Sequence, residues 1–466
     1  MKPRLSLLTA CLILSACGST PQTLDSGIVP PAAWQSPHNT GAGGERDALR
    51  WWARFASPQL DQLIEQAQVG SYDLAAAIAR VRQARADTVI AGGSLLPEIQ
   101  GTGNANRQKL LRGDGYRQLD ADSNNKAVDY FDVGLSASYE IDFWGGKRAS
   151  RDSAQFSLQA SEFDRATVEL TLLSGVANSY TQVLSLQEQS RIAELNLANA
   201  QNVLQLVQTR YNAGSATALE LAQQKSLVAA QQRQLPTVQQ QARDAHIALA
   251  ALLDRPVQDL PASHESFDQL QWPPISAGVP SELLTRRPDI ARAEAQLAAA
   301  QANVTVARAA MLPKITLGAS IGSGANQADD LLRSPFYNLT AGLIAPIFNN
   351  GRLSAERDKA TARQEELLQT YRGAIINGFA DVEKALNSIR GLDQQRQWQS
   401  EELNQAQTAF NIAQSRYQAG AEDLLTVLET QRTLYAAQDQ NVQLRLSRMQ
   451  ASIALYKALG GGWQTQ

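Results

Sequence analysis

Cysteine is nearly absent from this chain of 466 residues, which holds only Cys11 and Cys17. That excludes a disulfide framework and any cysteine-built metal site. Histidine is as scarce: His38, His246 and His264 lie too far apart in sequence to suggest a zinc centre. No serine sits in the strand-turn-helix context of a nucleophile elbow, so no catalytic residue and no metal ligand is expected, and the chain does not read as an enzyme. Charged residues make up only 19%, with a formal net charge of −3. The basic stripe that a nucleic-acid partner requires is missing. No run beyond the N-terminus reaches the roughly 18 apolar residues of a membrane-spanning helix, so any crossing of a bilayer would have to be made of strands. Proline is missing between Pro97 and Pro236 and again after Pro346. Both stretches are free to form very long helices.

What is present begins with a targeting segment. Lys2 and Arg4 precede the short apolar stretch Leu5 to Leu14, which is too short to span a bilayer as a helix. It ends in Leu14-Ser15-Ala16-Cys17-Gly18, similar to a bacterial lipobox. This implies a signal of residues 1–16 and a covalent diacylglycerol and acyl chain on Cys17, with no other cofactor. Gly18, in place of Asp, argues by the same analogy against retention in the inner membrane. One lipidated residue is a tether and not a span.

The rest of the chain is a repeat. Leu95-Leu96-Pro97-Glu98-Ile99 returns as Met311-Leu312-Pro313-Lys314-Ile315, and Arg210-Tyr211-Asn212-Ala213-Gly214 returns as Arg416-Tyr417-Gln418-Ala419-Gly420. Between these pairs, Phe143-Trp144-Gly145-Gly146-Lys147 answers Phe348-Asn349-Asn350-Gly351-Arg352. A linker with Pro256, Pro261, Pro273, Pro274 and Pro280 separates the copies. The expected organisation is a lipidated extended segment 17–60, a first repeat 61–255, a linker 256–280 and a second repeat 281–466. Each repeat reads as helix, strand pair and long helical hairpin.

The strands show period-two alternation. Phe131, Val133, Leu135, Ala137, Tyr139, Ile141 and Phe143 alternate with polar residues or glycine. Ile315 to Ile321 and Tyr337 to Ile347 behave alike, and Ile99 to Ala105 forms a weaker set. Polar loops, Asn106 to Asp129 and Gly322 to Phe336, follow the first strand of each pair. A soluble sandwich with one wet face would alternate in the same way. The lipobox tilts the reading to a membrane barrel, apolar outside and wet inside. Four strands cannot close such a barrel. Two chains would supply eight strands, whose side chains fill the interior, so a homotrimer is the smallest assembly with an open pore.

Lys147 to Tyr211 and Arg352 to Tyr417 can each be one helix of about 95 Å, with Gly175, Gly373, Gly378 and Gly391 as places to bend or break. Their lower ends carry heptads: Leu197, Ala200, Leu204, Val207 and Tyr211, then Leu403, Ala406, Phe410, Ala413 and Tyr417. Return helices continue the pattern at Leu221, Val228, Leu235, Ala242 and Leu249, and at Leu428, Tyr435, Val442, Met449 and Tyr456. Seven-residue spacing means paired helices. Gly214 and Gly420 stand where each pair must reverse, which suits a left-handed backbone.

On these residues the chain resembles the TolC-type outer-membrane factors, in the lipoprotein branch called NodT. The resemblance covers nearly everything after Cys17. Its most specific stretches are Pro280-Ser281-Glu282-Leu283-Leu284-Thr285-Arg286-Arg287-Pro288-Asp289-Ile290 and Leu455-Tyr456-Lys457-Ala458-Leu459-Gly460-Gly461-Gly462-Trp463. It implies a homotrimer with a twelve-stranded barrel in the outer membrane and a helical tunnel across the periplasm. The tunnel would dock on an adaptor protein and an inner-membrane pump, and conduct small molecules passively outward. It also implies a gate at the helix tips. Glu429 matches one constricting carboxylate of the family, which is Asp there; a second falls on Thr426. Leu425 matches a hydrophobic constriction. Arg432, three residues from Glu429, could hold it in an ion pair. Tyr417 and Glu220 match a pair that ties helices shut. A periplasmic coiled-coil spacer and a polypeptide-secretion duct are the rival readings. Cargo is not legible.

Overall fold

The structure, a computed structural model, describes residues 26–35, 50–109, 127–271, 277–461 and 463. Cys17, the signal segment, most of the first polar loop, and Pro273 and Pro274 lie outside the described residues. After a short 3-10 turn, Trp51–Phe55, come α1 (Pro58–Gly70) and α2 (Tyr72–Gly93). Regular structure therefore begins before residue 60, where an extended segment was expected. Ser57 and Ser71 cap these helices, each hydroxyl accepting a backbone N–H three residues on.

Strands β1 (Glu98–Lys109) and β2 (Ala127–Ile141) lead into α3 (Gly146–Asn212) and α4 (Ala218–Leu252). The second copy repeats the order: α5 (Pro288–Ala309), β3 (Lys314–Ala325), β4 (Pro335–Ile344), α6 (Arg352–Gln418) and α7 (Leu424–Ala458). Helices α3 and α6 have 67 residues each, α4 and α7 have 35 each. The long ones run about 100 Å. None of the four glycines breaks them. Two serve packing instead: a Cβ on Gly378 would sit 3.2 Å from Ile290, and one on Gly175 would sit 3.4 Å from Leu252.

All four strands form one antiparallel sheet in the order β1-β2-β3-β4. Its central register sets like against like: Leu135 faces Ile321, Ala137 faces Ala319 and Tyr139 faces Leu317. The strand expected to be weak, β1, pairs with β2 along its whole length. Strands also extend into both presumed loops, reaching Lys109 and Ala325, so those loops are shorter than expected. No strand in the chain pairs with the outer edge of β1 or of β4 among the described residues. The apolar side is bare as well: Leu135 is 56% exposed, Ile321 61% and Leu339 73%. A soluble sheet covers such a face and its edges.

The main core lies partway down the long helices. Trp51, Phe55, Leu60 and Ile64 pack there against Val176, Tyr180, Ile375, Leu386 and Met449. Trp51 stacks on Tyr456 with ring centroids 5.1 Å apart. The linker joins this belt through buried Phe267 and through Glu265, whose carboxylate accepts the Tyr180 hydroxyl at 2.8 Å. Burial first, with the Glu265 charge adding, pushes that phenol up to about 12.

The two most specific sequence stretches meet here. Arg287, buried, donates to both carboxylate oxygens of Asp289 at 2.9 and 2.7 Å. It also reaches Asp381 at 3.1 Å and the Ala458 carbonyl at 3.2 Å. One guanidinium thus ties the start of α5 to α6 and to the end of α7. Burial works against its charge and against that of Asp289, but each holds the other ionised, Arg287 above and Asp289 below its ordinary value. Gly460 closes the contact with φ +89°; a Cβ there would lie 1.9 Å from the Arg286 carbonyl oxygen.

Candidate gate and channel surface

Both hairpins reverse in the same way. Gly214 and Gly420 take φ of +75° and +76°. The Ser215 N–H bonds back to the Arg210 carbonyl at 2.8 Å, and the Ala421 N–H to that of Arg416 at 2.9 Å. These are helix-terminating bonds of the Schellman type, which need a left-handed residue.

The next helices start on different caps. Thr217 and Glu220 form a capping box: the Glu220 carboxylate accepts the Thr217 backbone N–H at 2.6 Å and its hydroxyl at 2.9 Å. In the second tip Asp423 accepts both the N–H and the hydroxyl of Thr426, at 2.9 and 2.8 Å. Thr426 is therefore engaged in a helix cap.

Leu425, Glu429 and Arg432 do fall on one open face of α7. The stripe continues through Ala436, Asp439 and Gln443, all exposed, at alternating four- and three-residue steps. The opposite stripe, Leu424, Val427, Leu428, Gln431 and Leu434, is buried on the tip core of Val203, Val207, Phe410 and Ala413. Glu429 and Arg432 make no ion pair with each other among the described residues, contrary to expectation. Both side chains are in water, where such a pair is worth about 0–1 kcal/mol, too little to order two long chains.

The expected tie between Tyr417 and Glu220 is also not a hydrogen bond. The Tyr417 hydroxyl is buried without a partner, while Glu220 spends its carboxylate on its own cap. Glu220 is near enough to act by charge. Burial and then Glu220 push the Tyr417 phenol up, and Arg210 opposes them. Arg210 makes the polar contact from the first tip to Tyr417 of the second. Its Cζ lies 4.5 Å from the centre of the Tyr417 ring, and its Nη1 donates to the Tyr417 carbonyl at 2.5 Å.

Sequence reasoning missed Arg210, although a signal existed. Its counterpart Arg416 pairs with Glu422 in its own tip at 3.3 Å. The first copy has Ala216 in place of Glu422, so Arg210 lacks that partner and reaches across to Tyr417. The two heptads also end differently: Tyr417 is 1% exposed beneath Arg210, whereas Tyr211 is 41% exposed. Higher up, Tyr435 joins the hairpins by donating to the Asn196 carbonyl at 2.8 Å. Burial pushes its phenol up to about 12.

No helix among the described residues is long and apolar enough to cross a membrane. A bare sheet with two open edges, carried on helices of about 100 Å that pack on shorter ones, is the architecture of a strand-and-helix membrane channel protein. The outer membrane efflux protein profile matches residues 63–255 and 279–461, one copy each. The chain belongs to that family. It is 64% identical over 461 residues to the pyoverdine export outer membrane protein OpmQ of Pseudomonas aeruginosa, covering 99% of this chain and 97% of that one. It is 31% identical over 464 residues to the cation efflux system protein CusC of Escherichia coli, covering 98% and 99%. The open-state structure of the Neisseria gonorrhoeae MtrE outer membrane channel superposes with a TM-score of 0.82 at 29% identity, over 96% of this chain and 98% of that one. The protein is the outer-membrane channel of a tripartite efflux system, working with an adaptor and an inner-membrane pump. Its helices form the long periplasmic portion. The spacer and secretion-duct readings have no counterpart among these relatives.

Proposed function

We propose that three copies of this chain, each lipidated on Cys17 in the outer membrane, form a duct that exports a siderophore of the pyoverdine class. Identity of 64% across nearly the whole of a pyoverdine exporter carries the cargo assignment. The unpartnered edges of β1 and β4 support closure by further copies, since an open edge is not tolerated in lipid. Three copies give twelve strands, enough to leave a pore. The exposed stripe of Leu425, Glu429 and Arg432 then faces the axis near the tips and narrows it, with Arg210 and Tyr417 holding the two hairpins together behind it. Thr426 and Glu220 fix the helix starts beside this gate through their caps without narrowing the pore, and Gly214 and Gly420 fix the turns. Expression in Pseudomonas aeruginosa lacking its own OpmQ tests the cargo. Pyoverdine fluorescence in the medium should return to the parental level, while Cys17→Ser should lower the amount of channel in the outer membrane fraction. Fluorescence that stays at the level of the deletion, with the channel present, would exclude this cargo.

A further inference from the structure

Just below the sheet, four helices pack in a row: α2 on α3, α3 on α5, and α5 on α6. The row mirrors the strand order above it. Yet Arg80, on the first helix of the row, and Arg363, on the last, line one cavity of about 490 Å³. A flat row would hold its end helices too far apart to share a cavity, so the layer is bent and the cavity occupies its concave side. When copies close the sheet into a barrel, the concave side of the layer beneath it becomes the inner wall of the tunnel.

That wall is polar and positive. Arg80, Arg292 and Arg363 line the cavity with a single carboxylate, Asp164, beside the neutral amides of Gln296 and Asn303. Asp164 bridges two of the arginines, to Arg292 at 2.7 Å and to Arg80 at 3.2 Å. Arg363 pairs with Glu366 one turn along its own helix. Each guanidinium has five donors in a fixed fork, and one shared carboxylate cannot occupy those of both Arg80 and Arg292. The remaining donors belong to side chains that line one open cavity, an arrangement suited to planar acidic groups held by two bonds at a time.

We propose that this concave face is an anion-binding station for small organic solutes bearing several carboxylate or sulfonate groups, repeated once per protomer around the upper tunnel. The placement rests on the closed assembly proposed above and is independent of the cargo assigned there. Its effect is to concentrate acidic solutes just below the exit and to disfavour cationic ones.

Pyranine, a trisulfonated pyrene, is a suitable probe with the purified full-length channel in detergent, because the upper tunnel opens to the exterior whatever the state of the tips. Fluorescence anisotropy should report binding that weakens as salt is raised. The combined variant Arg80→Gln, Arg292→Gln and Arg363→Gln should bind about tenfold or more weakly. Arg363→Gln alone, at a side chain 58% exposed, should fold normally and weaken binding about threefold. Arg191→Gln, on the same long α3 but outside the cavity and paired with Glu188, should bind as the parent does. The proposal is overturned if the parent channel does not bind pyranine, if neither cavity variant weakens binding, or if Arg191→Gln weakens it equally. Failure of the assembly itself would appear separately, as a monomer in light scattering.

Discussion

Replacing Arg210 with Ala tests whether the contact between the tips holds the channel closed. The structure gives two components to lose. A guanidinium 4.5 Å from the Tyr417 ring centre is worth about 0.5–1 kcal/mol where it is partly in water. A charged hydrogen bond to the Tyr417 carbonyl is worth about 1.5–3 kcal/mol, with the lower end applying to a half-buried donor. Together they come to about 2 kcal/mol per subunit, or about thirtyfold in the closed-to-open ratio of one tip. Tyr417→Leu keeps the apolar packing and the carbonyl bond but removes the ring, so it should cost about 1 kcal/mol, near fivefold. Single-channel recording in planar bilayers reads these shifts as a larger open fraction, greater for Arg210→Ala than for Tyr417→Leu. Arg210→Lys should lie between, since it keeps the charge and loses the fork. An intact Arg210→Ala assembly with the parental open fraction would refute the latch.

Other residues near the tips and the belt give sharp expectations. Glu429→Ala combined with Arg432→Ala should raise single-channel conductance, and because the two make no ion pair their separate effects should add; unchanged conductance would remove both from the constriction. Glu220→Ala should cost about 1 kcal/mol of local stability through its cap while leaving conductance close to the parent, which hydrogen exchange at the α4 N-terminus and bilayer recording can separate. Arg287→Ala leaves Asp289 and the Ala458 carbonyl without their partner and should destabilise the fold by about 3 kcal/mol, the low end for a buried pair because both acids are partly wet. Asp289 is held below its ordinary value, so its share of that stability is complete at neutral pH and disappears as pH falls below about 4 through its folded value. Denaturant midpoints measured from neutral to acid pH should therefore converge for parent and Arg287→Ala, and parallel curves would contradict the brace.

The sequence by itself determined the duplication, the alternating strands, the continuous helices and the turns at Gly214 and Gly420. These follow from local rules: period two, period three and a half, the places of proline, and the need for left-handed glycine. They hold before any two distant residues meet. Leu425 and Glu429 were singled out by resemblance to the family, and helical spacing added only that Arg432 shares their face. Only the tertiary structure decided that Arg210 rather than Glu220 touches Tyr417, and that Arg80 and Arg363, from opposite copies, share a cavity. It also turned Arg287-Pro288-Asp289 and Gly460-Gly461 from two unrelated stretches into one brace across three helices. Such choices depend on which partner is nearest across the fold and on which carboxylate is already engaged, and neither is encoded in any single stretch of chain.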